Sequence, residues 1–363
     1  MTIATRREPR ISIPMADDDH EQIVIRQDSE TGLRFIVAVH STVIGPSLGG
    51  MRLKRYPGGL REALADVMCL ARTMTLKASA AGLDLGGGKA VMIDDGVEHK
   101  RGARLEAAAG VIEELDGAYI TAEDIGTSTA DMDYMAQFTR FVVGQSVSSG
   151  GGGDPSPVTA ETVFQAMRRG LTAATGSGDF DGRRVGVVGL GKVGGALATK
   201  LSQAGAEVIG CDLDADRCQC MSTDYGIEVA PSAEAILAME LDVLAPCAAG
   251  GLIDDAIAQS IDCRVVAGAA NNPLADRGVA RTLMERDIVY VPDFLANCGG
   301  LIHVSMEWER KSRLEPSASE DKLIAGAMAR LDSALETAEA EGIPPIDVAE
   351  RQALERVEAA RGR

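Results

Sequence analysis

The sequence predicts an α/β protein of two domains, and three observations carry that expectation. Beyond Pro157, short apolar runs alternate with helical stretches, the pattern of a parallel sheet with helices on its faces. Before Ser148, the strand-like segments include a hairpin, and a mixed sheet is expected there. Between the two, Ser148 to Pro157 holds four consecutive glycines, an Asp-Pro pair and a second proline, which reads as a hinge. A chain of 363 residues is long enough for two domains at ~100–200 residues each.

The elements follow in order. Ile23-Val24-Ile25 and Leu33 to Val39 read as strands, with turn residues from Asp28 to Gly32 making the hairpin. Leu60, Ala63, Leu64, Val67, Met68 and Ala71 keep helical spacing, and Lys77 lies near the end of that helix. Gly86-Gly87-Gly88-Lys89 reads as a turn at the mouth of a strand, because the apolar run Ala90 to Ile93 follows at once. A helix is expected from about Arg104 to Leu115. The next strand, Ala118 to Thr121, runs into Glu123-Asp124-Ile125-Gly126. In the second half the apolar runs are Val185 to Leu190, Val208 to Cys211, Val243 to Ala245, Val265 to Ala267 and Ile288 to Val291. From about Lys322 the chain is mostly helical, apart from Gly342 to Pro345.

Composition removes several function classes. A formal net charge of −18 argues against nucleic acid or an anionic membrane surface as partner, since both call for a basic face. No apolar stretch approaches the ~20 residues of a membrane span. Met1 to His20 is polar, without the apolar core of a signal peptide. The seven cysteines are scattered, several in apolar segments such as those of Cys69, Cys211, Cys247 and Cys263. They read as reduced, buried thiols of a cytoplasmic protein. Cys218-Gln-Cys220 has no second pair nearby and the four histidines show no ligand spacing, so no metal site is expected.

Val185 to Gly194 is a strand running into G-x-G-x-x-G, with Gly189, Gly191 and Gly194 as the three glycines. The first glycine makes a tight turn, the second admits a pyrophosphate to the backbone, and the third lets helix and strand pack closely. The helix N-terminus offers N–H groups and a positive dipole end to phosphates. A second strand ends at Asp212, 23 residues beyond Gly189, near the ~20 expected for an acid on the ribose 2′-hydroxyl. A carboxylate there would repel a 2′-phosphate, so NAD is expected over NADP. The domains are then 1–152, with residues 1–18 as a flexible lead-in; 153–333, a Rossmann-type NAD-binding domain; and 334–363, a helical segment returning to the first domain.

Three ionisable residues stand near strand and helix ends of the first domain: Lys77, Lys89 and Asp124. A phosphate-binding loop would need a glycine six residues before Lys89 and Ser or Thr after it, and Leu83 and Ala90 occupy those positions. A chemical role for the lysine is the alternative. Two lysines in one cleft would depress one pKa by like-charge repulsion and desolvation. One could then act as a base near neutral pH while the other stays a cation.

Longer motifs carry a family resemblance. Leu48-Gly49-Gly50-Met51-Arg52, Met74-Thr75-Leu76-Lys77, Gly82 to Lys89 and Thr121 to Gly126 are similar to those of the leucine/valine/phenylalanine dehydrogenases, amino acid dehydrogenases of the glutamate dehydrogenase superfamily. Pro155 to Thr159, Ala245-Pro246-Cys247-Ala248, Gly268 to Asn272 and Asn297-Cys298-Gly299-Gly300 continue the match in order. It covers roughly residues 20–305 and resumes near Gly342 to Pro345.

The resemblance implies reversible oxidative deamination of an L-amino acid to its 2-oxo acid and ammonia, in a cleft separating a substrate domain from a Rossmann-type one. It implies that Lys77 binds the substrate α-carboxylate, that Lys89 is the general base activating water, and that Asp124 shares in proton transfer. Gly49, Gly50 and Met74 would line the carboxylate pocket. Lys192, Val193, Ala245, Cys247 and Ala269 would join the glycines and Asp212 around the cofactor, with Thr159 and Asn271 on its nicotinamide side. A homo-oligomer, from dimer to octamer, is implied as well.

The substrate side chain would meet positions matching Leu48, Ala122, Leu301 and Val304, all apolar here. That argues against glutamate, whose second carboxylate needs a basic partner. Ala122 is the type found in the branched-chain enzymes, whereas Leu301 is nearer the phenylalanine ones. After Gly300 the family continues into an acidic Ala-Asp-Glu stretch, where this chain has His303-Val304-Ser305-Met306-Glu307-Trp308. A branched-chain substrate is favoured and an aromatic one is the alternative. A non-catalytic NAD-binding regulator and a dehydrogenase for another 2-oxo acid remain as further readings.

Overall fold

The computed structural model describes residues 20–248, 250–312 and 318–362. The chain divides into two compact units: residues up to Thr75 together with Asp84–Gly153, and Leu76–Leu83 together with Asp154 onward. The lead-in expected over residues 1–18 lies outside the described residues.

The first unit is built on a mixed five-stranded sheet. Its elements are β1 (Gln22–Asp28), β2 (Leu33–Ser41), β3 (Ser47–Lys54), α1 (Gly59–Ala81, whose residues from Leu76 on belong to the second unit), β4 (Gly86–Ile93), α2 (Arg101–Glu114), β5 (Tyr119–Glu123) and α3 (Thr129–Met135). Strand order is β1-β2-β4-β3-β5. The expected hairpin is β1–β2, β2 and β4 are antiparallel, and β3 runs parallel to β4 and β5. Period-2 alternation sends Ile36 and Ala38 of β2, and Val91 and Ile93 of β4, to one face. There they pack with Ala63, Val67 and Ala71 of α1. Ser128 caps α3 through a capping box with Asp131.

One expectation is corrected here. Gly86-Gly87-Gly88-Lys89 is the first half of strand β4 and not a turn. Lys89 pairs in register with Ala38. Positive φ is not what these glycines supply; Gly87 supplies room, since a methyl there would overlap the backbone nitrogen of Thr75 on α1. A second correction concerns Cys69 and Cys220, which are exposed rather than in the core.

The second unit carries a six-stranded sheet whose pairings are all parallel. Its elements are α4 (Ser156–Thr175), β6 (Arg184–Val188), α5 (Lys192–Gln203), β7 (Glu207–Cys211), α6 (Ala215–Tyr225), β8 (Glu228–Val229), α7 (Ala233–Leu237), β9 (Val243–Pro246), α8 (Asp255–Ser260), β10 (Val265–Val266), α9 (Val279–Glu285), β11 (Val289–Tyr290), α10 (Asp293–Ala296), α11 (Gly299–Lys311), α12 (Glu320–Glu341) and α13 (Pro345–Arg361). The order β11-β10-β9-β6-β7-β8 is that of a doubly wound dinucleotide-binding fold, with its switch point between β6 and β9. Val188, Ile209, Leu244 and Val266 pack with Ile236, Leu283 and Tyr290 in the core. The two-residue edge strand β8 has no counterpart among the apolar runs. Helices α12 and α13 pack on Leu76–Leu83: Ser79 Oγ donates to the Ala353 carbonyl (2.7 Å), and Arg330 and Arg356 donate to the carbonyls of Ala80 and Leu83. No helix among the described residues is long and apolar enough to cross a membrane.

The Gly87 contact yields a stability prediction. Gly87→Ala forces α1 and β4 apart and should cost ~1–3 kcal/mol, the usual penalty of overpacking. Chemical unfolding of variant and wild type measures it; an unchanged midpoint would show that the contact can relax freely.

Candidate active site

In the first unit the middle of β4 and the end of β5 bring Lys89 and Asp124 together. Lys89 Nζ lies 3.2 Å from Asp124 Oδ2, and both side chains are largely buried. Asp124 follows β5 directly, and its backbone is fixed by a tight turn. Its N–H donates to Thr127 Oγ1 (2.9 Å), and Thr127 Oγ1 donates to the Met51 carbonyl (2.9 Å). The same Oδ2 accepts from Arg52 Nε at 2.9 Å. Arg52 Nη1 reaches Asp66 Oδ2 (3.1 Å), which also accepts from the Tyr56 hydroxyl (2.6 Å). Burial would raise the Asp124 pKa, but the charges of Lys89 and Arg52 hold it down at about 2. Burial and the hydrogen bond to Asp66 push the Tyr56 phenol up, keeping it a neutral donor.

Other predicted residues of this unit lie on the same strands. Leu48, Gly49 and Gly50 belong to β3, in register with Ile120, Thr121 and Ala122 of β5. Leu48 and Ala122 are buried. Met74 projects from α1 toward Gly49.

The second unit holds the rest. Lys77 is buried, and its Nζ donates to Asn271 Oδ1 (2.9 Å). Asn297 Nδ2 donates to that same oxygen (2.9 Å) and to the Ala269 carbonyl (3.0 Å). Asn297 Oδ1 is buried without a hydrogen-bond partner. Burial pushes the neighbouring Cys298 thiol up to about 12 against the opposing charges of Lys77 and Arg330. Thr159 lies on the first turns of α4, and Leu301 and Val304 are buried on α11. The segment that departs from the family pattern lies on α11 as well, where His303 Nδ1 contacts Glu320 Oε2 of α12 (2.9 Å).

The β6–α5 junction fits a dinucleotide. Gly189 has φ +102°, where an L side chain is strained and a methyl would also meet Ala248 N at 2.8 Å. Gly191 is the N-cap of α5 and offers no side-chain cap, so the first N–H groups of that helix, from Lys192 and Val193 on, lack a side-chain acceptor at the cap. A methyl on Gly191 would meet open space, while one on Gly194 would overlap the Gly189 carbonyl. Asp212 binds the turn itself: it accepts from Leu190 N (2.8 Å) and Asp214 N (3.0 Å), with Arg217 Nη1 at 3.3 Å. Burial opposes these contacts, yet together they lower its pKa. Ala245 and Cys247 line the end of β9 beside this turn, and burial raises the Cys247 thiol to about 12.

Arg52, Asp66, Tyr56, Asn297 and Arg217 were absent from the predicted set. Arg52 and Asn297 stand inside motifs the sequence displays. Asp66 and Tyr56 give no local signal, because only folding brings α1 and the β3–α1 loop to Arg52.

The depressed Asp124 value predicts a pH-dependent stability. Its folded-state pKa lies below the ordinary 3.8, so its contribution is present above about pH 4 and is lost as pH falls toward 2. The gap is worth roughly 2 kcal/mol. Urea unfolding of wild type and Asp124→Asn from pH 6 downward should show their difference shrinking; a constant difference would contradict it.

Comparison with known proteins places the chain. The Glu/Leu/Phe/Val dehydrogenase dimerisation domain matches residues 18–141, and the Glutamate/Leucine/Phenylalanine/Valine dehydrogenase domain matches residues 215–363. The chain is 39% identical over 343 residues to leucine dehydrogenase of Thermoactinomyces intermedius, covering 94% of this chain and 92% of that one. It is 40% identical over 344 residues to valine dehydrogenase of Streptomyces virginiae, covering 94% and 95%. Among solved structures, L-tryptophan dehydrogenase from Nostoc punctiforme superposes with TM-score 0.77 at 29% identity, over 95% of this chain and 98% of that one. Conserved length, family domains and two-sheet architecture agree, and the chain belongs to the glutamate/leucine/phenylalanine/valine dehydrogenase family as an amino acid dehydrogenase.

Proposed function

We propose that the protein catalyses NAD-dependent, reversible oxidative deamination of an apolar L-amino acid, branched-chain favoured, to its 2-oxo acid and ammonia. The observation that carries the reading is the buried Lys89–Asp124 pair. An amine and a carboxylate in contact are what reversible proton transfer at an amino carbon needs. The leucine and valine dehydrogenase relatives support the branched-chain preference.

Lys77, steadied by Asn271, would hold the substrate α-carboxylate as a fixed cation. Lys89, in its neutral form, would take a proton from the water that attacks the imino carbon. Asp124 would orient the amino group and exchange a proton with it as ammonia leaves. Gly189, Gly191, Gly194 and the start of α5 would hold the pyrophosphate, and Asp212 would face the ribose. When bound, the nicotinamide supplies the hydride-acceptor chemistry. Asp212 supports NAD over NADP, because its charge disfavours a 2′-phosphate. A homo-oligomer is supported by the match of the first unit to a dimerisation domain.

An aromatic preference is the second reading, favoured by Leu301 and by the likeness to L-tryptophan dehydrogenase. The test is reduced-cofactor formation with leucine, valine, isoleucine, phenylalanine, tryptophan and glutamate, each with NAD and NADP. Branched-chain substrates with NAD should give the highest kcat/KM. Preference for phenylalanine or tryptophan would install the aromatic reading, and activity with glutamate alone would overturn the apolar pocket. Lys89→Ala should lower kcat by on the order of 10²–10⁴-fold, the usual worth of general acid–base catalysis. Undiminished activity would remove Lys89 from its role.

A further inference from the structure

The contacts of Asp124 are unevenly divided between its two oxygens. Oδ2 takes both Lys89 Nζ (3.2 Å) and Arg52 Nε (2.9 Å), while Oδ1 accepts no hydrogen bond among the described residues. Arg52 is itself buried and is held at its other end by Asp66. Asp66 is held in turn by the Tyr56 hydroxyl, whose ring packs in the α1-facing core with Ala63 and Met68. A chain of contacts thus runs from the packed core to one oxygen of Asp124.

We propose that Arg52, braced by Asp66 and Tyr56, is a positioning residue for deamination: it pins Asp124 Oδ2 beside Lys89 so that Oδ1 is presented to the substrate amine. The inference rests on the reading of Lys89 and Asp124 as the reacting pair.

Geometry and charge both support this. The Asp124 backbone is locked by Thr127, so the carboxylate has only its side-chain torsions left, and two cations on one oxygen fix those. An unbraced arginine could swing away, but the guanidinium fork binds two carboxylates on two elements at once. Asp124 and Asp66 together balance the charges of Lys89 and Arg52. Without Asp66, Arg52 would stand as a buried cation competing with Lys89 for Asp124. The charged and titratable groups around Asp124 are Lys89 from β4, Arg52 from β3, Tyr119 from β5, and Asp66 and Tyr56 beyond Arg52.

The experiment measures kcat, KM and the pH profile of kcat/KM for the full chain with its best amino acid. Arg52→Gln should lower kcat on the order of 10²-fold, the cost of misplacing a reacting group by about 1 Å, with KM for NAD unchanged. Removing this cation lets the Lys89–Asp124 pair hold its protons more tightly. The acid limb of kcat/KM should therefore move up by roughly 1 pH unit. Asp66→Asn removes a negative charge and should move the limb the opposite way; it carries the test if Arg52→Gln fails to fold. Arg52→Lys should restore the limb but not kcat, since lysine lacks the fork. A folded Arg52→Gln with wild-type kcat and profile overturns the proposal, as does an Asp66→Asn limb that stays put or moves up. Activity surviving Lys89→Ala would instead overturn the reading of the pair itself.

Discussion

The Asp124 carboxylate is the group on which the buried charges of the first unit converge. It stands just past the end of β5, and it receives charges from the two other parallel strands, Arg52 from β3 and Lys89 from β4. Burying one such pair alone would cost more than its attraction returns. Here the cost is spread over two cations and two carboxylates, and a neutral phenol closes the far end. The arrangement demands close strands and a close helix. Gly87 supplies that closeness by letting β4 approach Thr75, so the lysine two residues on is carried in with the strand.

The second unit shares acceptors in the same way, with amide groups beside its charges. Asn271 Oδ1 accepts from both Lys77 and Asn297, which ties the last turns of α1, part of this unit, to the loop after β10 and the end of α10. The oxygen of Asn297 is left buried and unpartnered, a cost of ~1–3 kcal/mol that a bound donor would relieve. At the β6–α5 turn, Asp212 spends its lone pairs on Leu190 and Asp214. It therefore shapes the loop at the position where the sequence pattern asks for a ribose acceptor. Shaping the loop needs an ionised carboxylate, and the contacts that depress its pKa secure that.

Periodicity displayed most of this fold. The hairpin, α1, the alternating second half and the two C-terminal helices follow from it, because each buries one regular face. What was not legible depends on distant partners. Three glycines before a lysine look like a turn, since local rules see only their freedom at positive φ; Gly87 is instead glycine because Thr75 lies over it. Strand β8 is two residues on an edge with both side chains exposed, so no apolar run marks it. Arg52 stood inside a visible motif, but its meaning lies in Asp66, fourteen residues away on another element. Cys69 shares an apolar helix yet points outward, one position off the stripe that Met68 and Leu70 bury.

Substrate choice follows a different physics from catalysis. Leu48, Ala122, Leu301 and Val304 are all buried and apolar. Buried apolar residues in general reject a charged side chain strongly, because a carboxylate stripped of water among them has nothing to pair with. They separate one apolar side chain from another by only ~1–3 kcal/mol, the worth of a methylene or two. On the proposed reading, the boundary between apolar and acidic substrates is sharp, while leucine, valine and the aromatic amino acids lie close together. On that reading, small changes on α11 move preference within that group. The departure at His303–Trp308 falls on that helix, where His303 contacts Glu320 of α12. A change in that segment leaves Lys89, Asp124 and the charges that hold them in place, since those lie on other elements.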